Sequence, residues 1–209
     1  MNAAQLINQT SLEVEYYTDP KVVAPAIGMV GQFDLDVASS AAANRIIGAG
    51  HFYHAPHFEI VAWWDNIPVR RHVNVGGTDL PWWGSVWMNH PFMAPVNPCQ
   101  PGCERESCAK RGWHTLTRLP GNADWVNKLV SEVKSGNVTE AFCLTFACTS
   151  ERWFQPLLEQ YQCFLFPRTN YYLPDGTLKK GVTKGSVITY FGTRPRQFAK
   201  EYAHLGVVK

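Results

Sequence analysis

Apolar runs of strand length alternate with segments of helical periodicity along most of this 209-residue chain. Runs typical of strands occupy 32–38, 58–63, 84–86, 141–146, 161–166 and 185–192. Apolar residues recur at helical spacing in 22–29, 41–47, 125–133 and 150–158. Because strands that alternate with helices form parallel sheets covered on both faces, the pattern predicts an α/β domain with a mostly parallel sheet.

Capping residues support the first two helices. Thr18 or Asp19 can cap the first helix, with Pro20 in its first turn, and Ser39 and Ser40 precede the second.

The stretch 48–74 is harder to interpret, although 58–63 is suited to a second strand.

Composition limits the class of protein. A hydrophobic fraction of 45% and a charged fraction of 17% fit one globular domain spanning 1–209. The net charge of +2 is too small to indicate nucleic acid, so any basic surface must be local. The polar residues 1–15 lack a signal-peptide pattern and no apolar run is long enough for a membrane span, so we expect a cytoplasmic protein.

Three cysteines and a histidine are concentrated in 95–120, a segment rich in proline, glycine and charge that reads as an insertion. The spacing is Cys99-x3-Cys103-x4-Cys108-x5-His114. Few of these residues can form a core, and three thiolates with one imidazole suit tetrahedral Zn²⁺. The spacing predicts a structural zinc site, and the alternative is free thiols in a loop.

Other clusters allow a binding and a non-binding interpretation. The basic residues of the insertion fit DNA phosphates or an ordinary solvated loop; they are Arg105, Lys110, Arg111 and Arg118. The same alternatives apply near the C-terminus, to Lys179, Lys180, Lys184, Arg194, Arg196 and Lys200. His51, His54 and His57 would share a helical turn and a metal, but Gly50 and Pro56 favour a loop with surface or packing histidines.

The stretch 87–92 places an amide, a rigid turn and an aromatic ring directly after an apolar strand. In an open α/β sheet, ligands bind outside the carboxyl ends of strands. The Asn89 oxygen and the His90 carbonyl, held by Pro91, would accept two N–H bonds from a heterocycle stacked on Phe92. A plain strand-to-loop turn with a buried Phe92 is the alternative.

The strand at 32–38 alternates apolar and acidic residues. Asp34 and Asp36 fit a strand whose acidic end holds the ribose or amino group of a cofactor, or a solvated strand end. Farther along, the turn at 76–80 places Asp79 shortly before the strand that leads to Asn89.

Several motifs follow one another in a defined order. They are Tyr-Thr-Asp-Pro at 17–20, Phe-Asp-Leu-Asp-Val-Ala-Ser at 33–39, Thr-Asp-Leu at 78–80, Asn-His-Pro-Phe at 89–92, the Cys-rich insertion, and Gly-Ser-Val-Ile-Thr-Tyr-Phe-Gly at 185–192. This order resembles the phage-type, Dam-like DNA N6-adenine methyltransferases of prophages, over roughly residues 14–195.

The resemblance implies a Rossmann-like, S-adenosylmethionine-dependent methyltransferase sheet and an adenine-specific DNA methyltransferase activity. The family's catalytic Asn-Pro-Pro-Tyr/Phe motif corresponds to Asn89, His90, Pro91 and Phe92. The residues that it places at the cofactor are Tyr17, Thr18, Pro20, Asp34, Asp36, Ser39 and Asp79. Its partner is DNA, from which the target base must flip out.

The chain departs from the family at two prolines. His90 stands in place of the first proline of the catalytic motif, and Val37 replaces a proline in the first-strand motif. The position of His90 contributes mainly its backbone carbonyl, and proline would add rigidity. Two alternatives therefore stay open: methylation of another amino-bearing base, such as cytosine at N4, and a non-catalytic zinc-containing DNA-binding protein on a decayed methyltransferase fold.

Overall fold

A computed structural model describes residues 17–54, 58–72, 76–173, 175–179 and 182–209. The helices are α1 (Pro20–Val30), α2 (Ala41–Ile47), α3 (Glu106–Arg111), α4 (Asn122–Lys134) and α5 (Pro195–Tyr202), with a 3₁₀ helix at Arg152–Leu157. The strands are β1 (Tyr17–Thr18), β2 (Leu35–Ser39), β3 (His51–His54), β4 (Phe58–Trp64), β5 (Ile67–His72), β6 (Gly84–Met88), β7 (His114–Thr115), β8 (Val138–Phe146), β9 (Tyr161–Leu165), β10 (Tyr171–Tyr172), β11 (Leu178–Lys179), β12 (Ser186–Phe191) and β13 (Gly206–Val208). The predicted N-terminal arm at 1–15, His57 and Lys180 lie outside the described residues.

The predicted helix starts are confirmed. The Asp19 carboxylate accepts a hydrogen bond from the Lys21 backbone N–H at 2.9 Å, with Pro20 as the first residue of α1. The Ser40 hydroxyl accepts one from the Ala43 N–H at 3.2 Å at the start of α2. These side chains satisfy backbone donors that the first turn of a helix leaves without partners.

The main sheet has seven strands in the order β13-β9-β12-β8-β6-β2-β3. Strands β3, β2, β6 and β8 are parallel, whereas β12 runs antiparallel to both β8 and β9, and β13 antiparallel to β9. The α/β class is therefore confirmed, but the sheet is mixed rather than mostly parallel. The strand Ser186–Phe191 is buried along its length, and such a run carries no information about strand direction.

Helices cover both faces of this sheet. Helices α1, α2 and α5 pack on one face against large side chains such as Trp87, Phe142 and Tyr190. Helix α4 and the 3₁₀ helix pack on the other face against Leu35, Val86 and neighbouring residues. The result is the three-layer arrangement that the alternating sequence pattern favours.

The predicted strand at 58–63 exists but lies outside the main sheet. It forms a hairpin with β5 through Asp65 and Asn66, both at positive φ, and β7 completes a three-stranded sheet in the order β4-β5-β7. Two positive φ values characterise the two-residue turns that match the twist of paired strands. The place beside β2 belongs to β3, so His51 and His54 lie on a strand and not on the helical turn that a shared metal required.

Candidate functional site

The chain reverses its direction of travel across the main sheet between β2 and β6. From β2 it moves outward to β3, and it then returns to place β6 on the other side of β2. Because β2 and β6 are parallel, their carboxyl ends at Ser39 and Met88 meet at one edge of the sheet. A crevice forms at such a switch point and is the usual ligand site in open α/β sheets.

Strand β1 joins the segments that follow these two strand ends. The Asn89 amide donates a hydrogen bond to the Thr18 hydroxyl oxygen over 3.0 Å. The neighbouring Tyr17 hydroxyl lies 3.1 Å from the Ser40 hydroxyl, directly after β2. Three predicted site segments, far apart in sequence, thus meet at one place, and the bond to Thr18 orients the Asn89 amide.

Asp36 brings a carboxyl group into the interior near the same edge. Its side chain is 2% exposed, and its hydrogen-bond donors are the Ala38 backbone N–H at 3.4 Å and the Ser39 side chain. Burial outweighs these bonds and raises the pKa of Asp36 to about 7. A ligand that offers hydroxyl or amine donors would compensate this carboxylate better than the protein does.

The turn at 76–79 packs against the end of β2. A Cβ atom on Gly77 would lie 2.0 Å from the Val37 carbonyl oxygen, so only glycine permits this approach. The Trp82 indole holds the turn by donating to the Gly77 carbonyl at 2.7 Å. The exposed Asp79 follows in the same turn, which places it near the carboxyl end of β2.

His90 contributes a buried side chain in addition to its carbonyl. Its ring is 1% exposed, stacks on Trp125 at 5.8 Å and places Nε2 3.1 Å from the Asn122 side-chain oxygen. Burial lowers the pKa of His90 to about 4, so the ring is neutral at pH 7. Sequence reasoning missed Asn122 and Trp125 as partners of His90, because the apolar spacing of 125–133 identified Trp125 only as a core residue of a helix and gave no signal for Asn122.

Phe92 is half-buried behind Asn89. Its ring lies 4.5 Å from that of Phe146, at the carboxyl end of β8, and meets the His90 ring edge to face at 5.5 Å. The Lys184 ammonium lies 5.6 Å from the Phe146 ring, so this member of the C-terminal basic set is near the site. The Phe92 ring therefore shares in the core and also borders the strand ends.

The predicted cofactor residue Asp34 and one member of the C-terminal basic set, Arg194, lie apart from this group. Asp34 precedes β2 at its amino-terminal end, where its carboxylate accepts hydrogen bonds from the Ser85 N–H at 2.7 Å and the Ser85 hydroxyl at 2.9 Å. Arg194 forms an ion pair with Glu140 and donates to the Met29 carbonyl at 2.7 Å. Both side chains thus have structural partners away from the β2 and β6 carboxyl ends.

The four predicted metal ligands form a second cluster. The ligand atoms of Cys99, Cys103, Cys108 and His114 all lie within 4.8 Å of one another. Cys108 Sγ is 3.6 Å from Cys99 Sγ and 3.8 Å from Cys103 Sγ. Two sulfurs bound tetrahedrally to zinc at about 2.3 Å would be about 3.8 Å apart, so the cluster could hold a metal ion.

The surroundings of the cluster favour a thiolate at Cys103, whereas burial raises the pKa of Cys108 to about 11. Arg105 donates to Cys103 Sγ at 3.3 Å and Arg111 donates to Cys108 Sγ at 3.4 Å. Hydrogen bonds from the backbone and side chain of Arg105 lower the pKa of Cys103 to about 6. His114 is 2% exposed, and its Nδ1 has no hydrogen-bond partner among the described residues. This nitrogen, beside three sulfurs, is therefore available to coordinate a cation.

Comparisons of this chain with family models, curated proteins and solved structures returned no match. No helix in the described part of the chain has both the length and the apolar character needed to cross a bilayer. Function is therefore inferred from the residues and their geometry.

Proposed function

We propose that this protein transfers the methyl group of S-adenosylmethionine to the exocyclic N6 of adenine in DNA, on a Rossmann-like sheet. One observation carries the proposal: Thr18 and Tyr17 contact Asn89 and Ser40, so the N-terminal, acidic-strand and Asn-His-Pro-Phe motifs meet at the switch point. These motifs bring together the residues that the cofactor and the target amine require.

The end of β2 suits the cofactor. Asp36 is a buried carboxyl with few donors of its own, and the ribose hydroxyls of the cofactor would supply them. Gly77 lets the 76–79 turn approach the β2 backbone and leaves Asp79 at the rim. When bound, S-adenosylmethionine supplies an electrophilic methyl group on a sulfonium sulfur.

The end of β6 suits the amine. Its nitrogen lone pair is delocalised into the adenine ring, so the free base is a poor nucleophile. In the proposed reaction the Asn89 side-chain oxygen and the His90 carbonyl accept its two N–H bonds and stabilise the positive charge that develops on nitrogen. The nitrogen bonds to the methyl carbon, the carbon–sulfur bond breaks with its electron pair going to sulfur, and a proton leaves the nitrogen for solvent.

The side chain of His90 takes over a task that proline performs in the resembling family. Its contacts with Asn122 and Trp125 anchor the residue after Asn89 to helix α4. Because positioning supplies much of the rate in such a transfer, this anchoring supports an active site with histidine in that place.

The test is incubation of the purified protein with labelled S-adenosylmethionine and unmethylated DNA, followed by mass spectrometry of the nucleosides. We expect N6-methyladenine with the wild type and at least a hundredfold slower transfer in Asn89→Ala, by analogy with loss of one electrostatic contact. Asn97→Ala is the matched control, since this exposed residue contributes its carbonyl to Arg105 but no described side-chain bond. Detection of N4-methylcytosine instead would identify cytosine as the target base. An absence of both methylated nucleosides and of cofactor binding would favour the non-catalytic alternative.

We also propose that the cysteine cluster holds structural Zn²⁺. Sulfur separations of 3.6 and 3.8 Å and the unpartnered His114 nitrogen support this assignment. With four protein ligands the site has no open position, so it orders the insertion and takes no part in the transfer. Metal analysis of the purified protein tests it: we expect one equivalent of zinc, and less than about half an equivalent would contradict it.

A further inference from the structure

One face of the β4-β5-β7 sheet is apolar and exposed. In an antiparallel pair, directly opposite residues point to the same face, and the register pairs Phe58 with His72, Ile60 with Arg70 and Trp63 with Pro68. The register shift between Ile60 and Ala62 skips one residue, which places Trp63 on the same face as Ile60. We call this surface, formed by Phe58, Ile60, Trp63, Pro68 and Arg70, the hairpin face.

The opposite face of this sheet is directed toward the cysteine cluster, which includes His114. Val69 is completely buried and pairs with His114, and the Trp64 ring lies 5.3 Å from the His114 ring. The hairpin face, in contrast, leaves Phe58, Ile60 and Trp63 exposed by 45%, 51% and 63%. Large apolar side chains grouped on one exposed face indicate an interaction surface.

Two arginines that form no ion pair among the described residues, Arg70 and Arg111, lie at the hairpin face. The Arg70 guanidinium lies 3.9 Å from the centre of the Phe58 ring and 4.9 Å from that of the Trp113 ring. The Arg111 guanidinium lies 4.0 Å from the centre of the same Trp113 ring. No ion pair of the described residues includes Arg70 or Arg111. Burial and the neighbouring Arg111 charge lower the pKa of Arg70, so an anion at this place would be favoured.

Topology makes the β4-β5 hairpin and the insertion begin at the same edge of the main sheet as the candidate site. The β4-β5 hairpin follows the carboxyl end of β3, and the insertion that contains β7 follows the carboxyl end of β6. Strands β3, β2 and β6 are parallel, so both excursions leave the edge where Asn89 lies.

We propose that the hairpin face is a DNA-binding surface, which rests on the proposed function. Bases beside the target contact Trp63, Ile60 and Phe58. These apolar side chains replace the stacking contacts that are lost when the target base flips out of the duplex. Arg70, which has no carboxylate partner among the described residues, contacts a phosphate, and Arg111, which also donates to Cys108 Sγ and the Trp113 carbonyl, adds positive charge beside it. The cysteine cluster packs against the opposite face of the sheet and keeps the hairpin face rigid.

The test measures binding of a fluorescent duplex by anisotropy, without cofactor, for the full-length wild type and variants. We expect Trp63→Ala to weaken binding about tenfold, the lower part of the range for loss of a stacking contact. Tyr161→Ala is the matched control, because this aromatic side chain is 47% exposed on β9, near the far edge of the main sheet. Arg70→Gln is expected to reduce the slope of log affinity against log salt by about 0.9, one phosphate contact.

The outcomes separate this inference from the proposed function. If the wild type methylates adenine and Trp63→Ala binds DNA as tightly as Tyr161→Ala, the hairpin face is not the DNA surface and the methyltransferase stands. If Trp63→Ala loses DNA binding but the wild type transfers no methyl group, the surface stands and the activity fails. Dissociation of a wild-type dimer by Trp63→Ala, with DNA binding unchanged, would assign the face to a second copy and overturn the inference.

Discussion

Replacement of Asp36 by asparagine should stabilise the protein at alkaline pH. Asp36 is 2% exposed, and burial raises its pKa from the ordinary 3.8 to about 7. At about 1.4 kcal/mol per pH unit, this rise in pKa means that ionisation of the buried carboxyl above pH 7 lowers the free energy of unfolding by about 4 kcal/mol. Asparagine has nearly the same shape and carries no charge at any pH in this range.

The sign of the effect follows from proton binding. Between about pH 4 and pH 7 the folded protein retains on Asp36 a proton that the unfolded chain has released, so stability falls as pH rises through this window. His90 acts in the opposite direction, because its folded pKa of about 4 is below the ordinary 6.5 and stability is lost as pH falls between these values. The difference between wild type and Asp36→Asn cancels the His90 contribution.

Urea unfolding of both proteins at pH 5 and pH 8 measures this difference. We expect the stability of Asp36→Asn relative to wild type to increase by about 2.5 kcal/mol from pH 5 to pH 8, integrated from the two pKa values. Asp79→Asn, on an exposed side chain, is the control and should show no such change. If the stability of Asp36→Asn relative to wild type is the same at both pH values, the conclusion that burial raises the pKa of Asp36 is wrong.

Three further changes test other parts of the site. Gly77→Ala places a methyl group 2.0 Å from the Val37 carbonyl oxygen, so we expect a loss of at least about 2 kcal/mol in urea unfolding and weaker cofactor binding by calorimetry. His90→Pro restores the proline of the resembling family but removes the Asn122 bond and the Trp125 stacking; a loss of about 2 kcal/mol and a lower kcat are expected, and unchanged values would mean that the side chain is dispensable. Cys108→Ser should lower both the zinc content and the thermal midpoint, whereas Cys148→Ser, outside the cluster, should leave the zinc content unchanged.

Local chemistry explains which features were predictable. The caps at Asp19 and Ser40 act over two or three residues, so the sequence near them is sufficient to identify them. Cys99, Cys103, Cys108 and His114 were identified from spacing, because a short segment with few core residues can gather its ligands without help from the rest of the fold. The position of Asn89 directly after an apolar strand is likewise local.

Features that depend on distant partners were not predictable in this way. Whether 58–63 joins the main sheet is decided by competition with β3 for the edge of β2, and the antiparallel direction of β12 by its placement between β8 and β9. The contacts of Asn89 with Thr18 and of His90 with Asn122 join residues 71 and 32 positions apart. The amino-acid sequence alone thus determined most strands and helices of the main sheet, the four residues that could hold a metal ion, and the chemical groups at the strand ends. Tertiary structure decided which of those groups meet, because hydrogen bonding and packing between distant segments act only after the sheet has assembled.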